Sequence, residues 1–259
     1  MTAYSKIELL ICQVARLLED GCTLAVGTGM PCAAAMLAQK TVAPNLILFF
    51  EAGGIGPILT EMPITVGNSR TFFKGISASS LAEVMETSQR GLLDYALLGG
   101  AQIDMYGNLN TTFIGDDHDR PNVRLPGSGG GNDLASTCWR FIIIMRHQKR
   151  RFREKMDFLT SPGYLTGKGA REKIGLPPGG GPYKVVTNLA VLGFDEETKR
   201  MQVETIHPGV TKEEIIAETG FELLWSPQIT ESTPPTEEEL HILRTEVDPN
   251  RYLLDRDFS

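Results

Sequence analysis

The chain has 259 residues, enough for one large domain or two small ones with a sizeable core. With 41% hydrophobic and 22% charged residues it reads as an ordinary globular protein rather than a disordered or fibrous one. A formal net charge of -7 makes the surface repel phosphate backbones, so nucleic acid is not an expected partner.

Taken in chain order, Ile7, Leu10, Ile11, Val14, Leu17 and Leu18 recur at helical spacing and predict an amphipathic helix over 6–19, stopped at Gly21. Thr23 to Val26 is a short apolar run that leads into Gly27-Thr28-Gly29-Met30-Pro31, after which Ala33 to Lys40 reads as helical. Strand, glycine turn, helix is the basic α/β unit. Leu46 to Phe50 is a second buried strand and ends at Glu51-Ala52-Gly53-Gly54. A helix over Leu81 to Arg90 and a strand over Tyr95 to Leu98 follow. Phe141 to Met145 and Lys184 to Leu192 are further strand candidates. Thr211 precedes Glu214, and Thr236 precedes Glu239, by the three residues of a capping box, predicting helices over about 212–219 and 237–246. Residues 175–182, GLPPGGGP, are expected to form a loop, and the tail after Asp248 looks irregular. The pattern predicts an α/β fold, an open and mostly parallel sheet with helices on both faces.

No apolar run approaches the ~20 residues that span a bilayer. The opening MTAYSKIELL lacks the basic-then-apolar order of a leader peptide. The four cysteines, Cys12, Cys22, Cys32 and Cys138, form no CxxC pair. Free thiols and a cytoplasmic location, with no membrane partner, are therefore expected.

Several residues carry candidate chemistry. Glu51 follows five apolar residues and precedes a glycine cluster that includes Gly53. A carboxylate at the C-terminal end of a buried strand stands where α/β folds place ligands, and glycines let a substrate approach the backbone. Its alternatives are a helix cap or a surface ion pair. The segment Gly127-Ser128-Gly129-Gly130-Gly131-Asn132 can turn several N–H groups toward an oxyanion or a phosphate, or serve as a mobile surface loop. Neither it nor Gly27-x-Gly29 completes a dinucleotide fingerprint, and no P-loop ending is present. Gln102, just past a strand, offers an amide to a substrate oxygen, or else satisfies its own turn. Asp116-Asp117-His118-Asp119 suits a polar loop better than a metal site, so no metal is expected. The basic run His147 to Lys155 reads as a solvated helix face, with a contact to an anionic partner or to a cofactor phosphate as the lesser reading.

Taken in order, these motifs resemble the β-type half of class I CoA-transferases. The series runs from Gly27-Thr28-Gly29-Met30-Pro31 through Glu51-Ala52-Gly53 to Gly100-Ala101-Gln102-Ile103-Asp104. Gly107-Asn108-Leu109-Asn110, the Gly127 to Asp133 loop, Val186 to Val191 and Pro208-Gly209-Val210-Thr211 continue it. The resemblance covers nearly the whole chain, so residues 1–259 read as one β-type domain. Lys149-Arg150-Arg151-Phe152 and Thr160-Ser161-Pro162-Gly163 are similar to the subgroup of glutaconate CoA-transferase B subunits.

The resemblance implies that Glu51 is the nucleophile that carries a glutamyl-CoA thioester. It implies coenzyme A as substrate, no permanently bound cofactor, and a site completed by a separate α-type subunit in a heterooligomer. Gly27, Gly29, Gly53, Gln102 and the 127–132 loop would surround the bound thioester. A dicarboxylic, glutaconate-like acid is the implied substrate. Relatives on this scaffold also include decarboxylases and hydrolases of C–C bonds in CoA thioesters, which stay as the alternative class.

Overall fold

The computed structural model describes residues 3–255. In chain order the elements are α1 (Lys6–Ala15), β1 (Thr23–Ala25), α2 (Met30–Lys40), β2 (Ile47–Phe49), β3 (Gly54–Ile55), β4 (Ser77–Ala78), α3 (Leu81–Gln89) and β5 (Tyr95–Leu98). Next come β6 (Gln102–Ile103), β7 (Leu109–Asn110), β8 (Phe113–Ile114), β9 (Val123–Arg124), α4 (Gly131–Thr137), β10 (Arg140–Ile144), α5 (Ala170–Lys173), β11 (Gly181–Val186), β12 (Ala190–Phe194), β13 (Met201–Ile206), α6 (Lys212–Ala217), β14 (Leu224–Glu231) and α7 (Glu237–Ile242). A 3-10 turn, Ser69–Phe72, and a π-helical turn, Leu243–Val247, complete the described secondary structure. The residues fall into two compact units, one running to Leu98 and resuming at Thr233, the other spanning Gly99–Ser232.

In the first unit five strands lie in the order β5-β1-β2-β3-β4. The β5-β1 and β1-β2 pairs are parallel, and β2-β3 and β3-β4 are antiparallel. Ile7, Leu10, Ile11 and Val14 of α1 are buried, as their spacing predicts, and α1 packs on α2. Ser5 opens α1 with a capping box: it accepts from the Glu8 N–H (3.2 Å) while Glu8 accepts from the Ser5 N–H (2.7 Å). Glu8 also meets Arg244 at 2.6 Å, and Arg16 meets Glu239 at 2.6 Å, so two bidentate ion pairs tie α1 and its C-cap residue to the π-helical turn and α7. The helix ends at Ala15, earlier than the expected 19, and residues 16–17 form a turn. Leu18 stays buried although it has left the helix, so the apolar period outlasts the element.

In the second unit the order is β14-β13-β12-β11-β10. Parallel β10-β11 and β13-β14 flank the antiparallel pairs β11-β12 and β12-β13. Two small antiparallel ladders, β6-β7 and β8-β9, stand apart from that sheet. The single strand expected over Lys184 to Leu192 is two strands, broken at Thr187. The Thr187 hydroxyl accepts from the N–H groups of Leu189 (3.1 Å) and Ala190 (3.0 Å), a local turn that competes with extended chain. Helices α6 and α7 start where their threonines predict, but only Thr236 forms the full capping box, and they end at Ala217 and Ile242, before the expected 219 and 246. The loop expected over 175–182 already enters β11 at Gly181. The α/β class holds, with parallel ladders joining β5, β1 and β2 of the first unit and antiparallel ladders joining β2, β3 and β4.

Candidate active site

Glu51 stands at the tip of the β2-β3 hairpin. The Gly53 N–H donates to the Phe50 carbonyl (2.9 Å) and the Phe50 N–H to the Gly54 carbonyl (2.8 Å), leaving Glu51 and Ala52 as the central residues of a tight turn. Two glycines make that turn buildable. Gly53 has φ +112°, and a Cβ there would run into the Ser79 carbonyl; at Gly54 it would meet the Thr71 carbonyl. No helix follows for Glu51 to cap, since the next helical turn begins at Ser69. The Glu51 side chain is partly buried and has no hydrogen bond or ion pair among the described residues. Both structural alternatives raised by the sequence are thus removed. What remains is a carboxylate on a rigid turn with all its lone pairs open.

The glycine turn at the end of β1 lies beside it. Ala25 of β1 and Phe49 of β2 are register partners in the parallel pair, so Gly27 and Glu51 each come two residues beyond one pairing. Gly29 has φ +75° and its carbonyl accepts from Ala33 in the first turn of α2, so glycine is required there. A Cβ on Gly27 or Gly29 would meet nothing within 4 Å, so open space lies in front of both. Cys32, in the first turn of α2, is fully buried, and burial pushes its thiol up to about 12, which removes it as a nucleophile.

A cavity of about 660 Å³ also belongs to this unit, lined among others by Thr28, Gly29, Met62, Arg70, Asp248 and Tyr252. Arg70 is paired there with Glu61. Glu51 is not in its lining.

The 127–132 segment lies in the second unit. Gly127 (φ +93°) is held at both ends of its peptide: its N–H donates to the Thr111 carbonyl and its carbonyl accepts from the Thr111 hydroxyl, both at 2.8 Å. The Gly131 N–H donates to the Ser128 carbonyl (2.9 Å) and the Asn132 N–H to the Ser128 hydroxyl (3.2 Å). The Asn132 amide reaches the Thr160 carbonyl at 2.7 Å. Three N–H groups in the middle, those of Ser128, Gly129 and Gly130, have no partner among the described residues. The loop is therefore pinned at its ends with donors open between, which is not the mobile loop of the alternative reading.

One clamp on this region carries no sequence signal. Arg171, 2% exposed, donates to the carbonyls of Ala135 (3.0 Å) and Ser136 (3.3 Å) in α4 and of Pro162 (3.0 Å) and Gly163 (2.9 Å). It is a buried cation held by neutral oxygens alone, and it joins the helix after the glycine loop to the segment that Asn132 contacts. In the sequence it reads as an ordinary helix-surface arginine.

Gln102 behaves differently from Glu51. It is 3% exposed, donates to Asp157 (3.0 Å), and accepts from the Asn110 amide (2.8 Å) and the Asp157 N–H (3.0 Å). The satisfied-turn reading is the one its bonds describe. Asp104 is tied similarly, accepting from Tyr106, Asn108 and the Asn108 amide, while burial holds its carboxyl above the usual range. The Asp116 to Asp119 segment is exposed, and among the described residues no group of three or more His, Cys, Asp or Glu side chains is placed to hold a metal. Nor is any described helix long and apolar enough to cross a membrane.

This chain belongs to the coenzyme A transferase family, whose model matches residues 7–218. It is 37% identical over 245 residues to the B subunit of 3-oxoadipate CoA-transferase from Pseudomonas knackmussii, covering 94% of each chain. It is also 37% identical over 261 residues to the B subunit of glutaconate CoA-transferase from Acidaminococcus fermentans, covering 96% of this chain and 95% of that one. The crystal structure of glutaconate coenzyme A-transferase from the same organism superposes with a TM-score of 0.92 at 35% identity, covering 99% of each chain. A more distant likeness, 29% over 234 residues and covering 89% of this chain and 88% of the relative, joins it to the IpdB polypeptide of the cholesterol ring-cleaving hydrolase of Mycobacterium tuberculosis.

Proposed function

We propose that this chain is the glutamate-bearing subunit of a cytoplasmic, heteromeric CoA-transferase, and that Glu51 carries CoA as a thioester. The observation that carries the reading is the Glu51 carboxylate itself, set on a rigid strand-end turn, partly buried, and claimed by no donor among the described residues. A weak nucleophile becomes competent when desolvated and positioned. In the proposed sequence a Glu51 oxygen attacks the thioester carbon of the donor, CoA thiolate leaves, and an acyl-glutamyl anhydride forms. The thiolate then attacks the Glu51 carbonyl carbon and expels the donor acid, leaving glutamyl-CoA. The carboxylate of the acceptor acid attacks that carbonyl, and the same two steps run backwards to the new acyl-CoA. Thioester energy is conserved throughout, so the scheme requires no metal, nucleotide hydrolysis or resident cofactor. We assign the open N–H groups of Ser128, Gly129 and Gly130 to the thioester oxyanion. Gly27 and Gly29 leave space for the pantetheine arm.

The similar chains belong to enzymes named for 3-oxoadipate and glutaconate, both dicarboxylates, and a dicarboxylic acid is the substrate class we propose. Both are B subunits, which supports an α-type partner for this chain. The test is donor acyl-CoA supplied without acceptor to the co-purified complex, followed by borohydride. Reduction of the thioester should inactivate the enzyme, and peptide mapping should place the reduced residue at position 51. Robust turnover with no label at Glu51 would move the chemistry to acid–base work by the same residue, as in a decarboxylase or hydrolase.

A further inference from the structure

The basic run after β10 is not the solvated helix face that its composition suggests. Residues 146–155 hold six cations and one carboxylate in a chain whose net charge is -7. They begin just past the C-terminal end of β10, which pairs in parallel with β11, the edge where α/β sheets place ligands. The segment is rigid. His147 is buried and stacks on Phe152 with ring centroids 3.9 Å apart, and its Nε2 meets the Thr219 hydroxyl at 2.9 Å. The Arg151 carbonyl accepts from the Ile103 N–H, and the Arg153 N–H donates to the Ile103 carbonyl, both at 2.8 Å.

On this frame two guanidinium groups converge on one neutral oxygen. The Nε of Arg150 and the Nε of Arg151 both donate to Gln148 Oε1, at 3.1 and 3.2 Å. Arg151 is partly buried, and the only other partner of its guanidinium among the described residues is the Gly100 carbonyl, at 3.5 Å. Neither arginine has a carboxylate partner among the described residues. The nearby Glu218 carboxylate accepts instead from the Lys149 backbone N–H (3.1 Å). Burial holds the Arg151 guanidinium below its ordinary value, and the charges of Arg150 and Arg146 act in the same direction. Like charges held together by a fixed backbone, with the Arg150 Nη groups and Arg151 Nη2 open, are offset when an anion binds, and paired guanidinium forks match phosphate oxygens.

We propose that Arg150 and Arg151 form an anion site that takes a phosphate group at the nucleotide end of coenzyme A, an inference that rests on the CoA-transferase reading above. The test titrates CoA, dephospho-CoA and pantetheine into the complete chain co-purified with its partner subunit. Unaltered protein is compared with Arg150→Gln, Arg151→Gln and Arg151→Lys. CoA should bind at least about 10-fold more tightly than pantetheine, and each glutamine variant should weaken CoA by about 10-fold while leaving pantetheine unchanged. Arg151→Lys, which keeps the charge and loses the fork, should fall between. Weakened binding of dephospho-CoA assigns the site to the 3′-phosphate; equal binding assigns it to the diphosphate. Arg150 is exposed, so its variant tests the site even where Arg151→Gln lowers the melting temperature. Glutamine variants that bind CoA as tightly as unaltered protein overturn the anion site alone. Unaltered protein that binds neither CoA nor pantetheine overturns the transferase reading, and the site with it.

Discussion

Glu51 and Gln102 look alike in the sequence and opposite in the structure. Each is a polar residue shortly after a buried strand, and each has a glycine two positions away. Gln102 is enclosed by Asp157 and Asn110, and its carbonyl oxygen takes two bonds. Glu51 has none. Buried polar groups in a folded protein are ordinarily paired, so an amide inside a network is scaffolding, whereas a carboxylate left open at a strand end is free for chemistry. The two sites should therefore respond to substitution in opposite ways, one in rate and the other in stability.

The largest effect is expected at Glu51. Glu51→Ala should lower transfer by on the order of 10⁴-fold or more, as loss of a covalent nucleophile does. It should shift stability by no more than about 0.5 kcal/mol, because no partner is lost. Glu51→Asp draws the carboxylate back by one methylene and should cost on the order of 10²-fold. Steady-state rates beside urea melts of the same preparations check both, and a strongly destabilised Glu51→Ala would break the contrast.

The glycine loop comes next. Gly129 has φ +48°, and the N–H groups around it are open. Gly129→Val or Gly130→Val should reduce turnover by roughly 10²-fold by obstructing the donors assigned to the oxyanion. Turnover unchanged in both variants would move that assignment elsewhere.

Gln102→Leu should show the reverse pattern. It leaves the Asp157 N–H and one Asn110 donor short of a partner and should cost about 2–3 kcal/mol. The rate per folded molecule should change far less than at Glu51. A loss of rate rivalling that of Glu51→Ala, without loss of stability, would make Gln102 a substrate contact after all.

The last effect is one of pH. Burial lowers His147 to about 3 from its ordinary 6.5, and burial also lowers His207, although the Thr187 carbonyl opposes it. Below 6.5 the unfolded chain binds protons that the folded chain refuses. Stability should thus be flat above about pH 6.5 and fall as pH drops from 6.5 toward 3, by at most about 1.4 kcal/mol per pH unit for each histidine. Burial raises Glu8 and Glu239, but Arg244 and Arg16 bring both below 4.5, so their acid loss begins only there. Burial of Asp104 acts in the opposite direction, so urea melts between pH 7 and 5 are run beside those of His147→Gln, and an equal pH dependence in both would show that His147 does not titrate as described.

The sequence by itself determined the α/β class, the helix starts at Thr211 and Thr236, the strand before Glu51 and the place of both glycine turns. Those features are local: side-chain periodicity, caps three residues apart, and glycines where φ is positive. The same local reading missed the break at Thr187, where one hydroxyl folds the chain back, and made a helix of the 147–155 run that is held by Phe152 and Ile103. Only the tertiary structure decided which polar groups are spent and which are open. Arg171 closes on carbonyls up to 36 positions away, Gln102 on Asp157 at a separation of 55, and no pattern within a window of a few turns registers either bond. The openness of Glu51 is likewise a property of everything that does not reach it, and it exists only once the hairpin and its neighbours are in place.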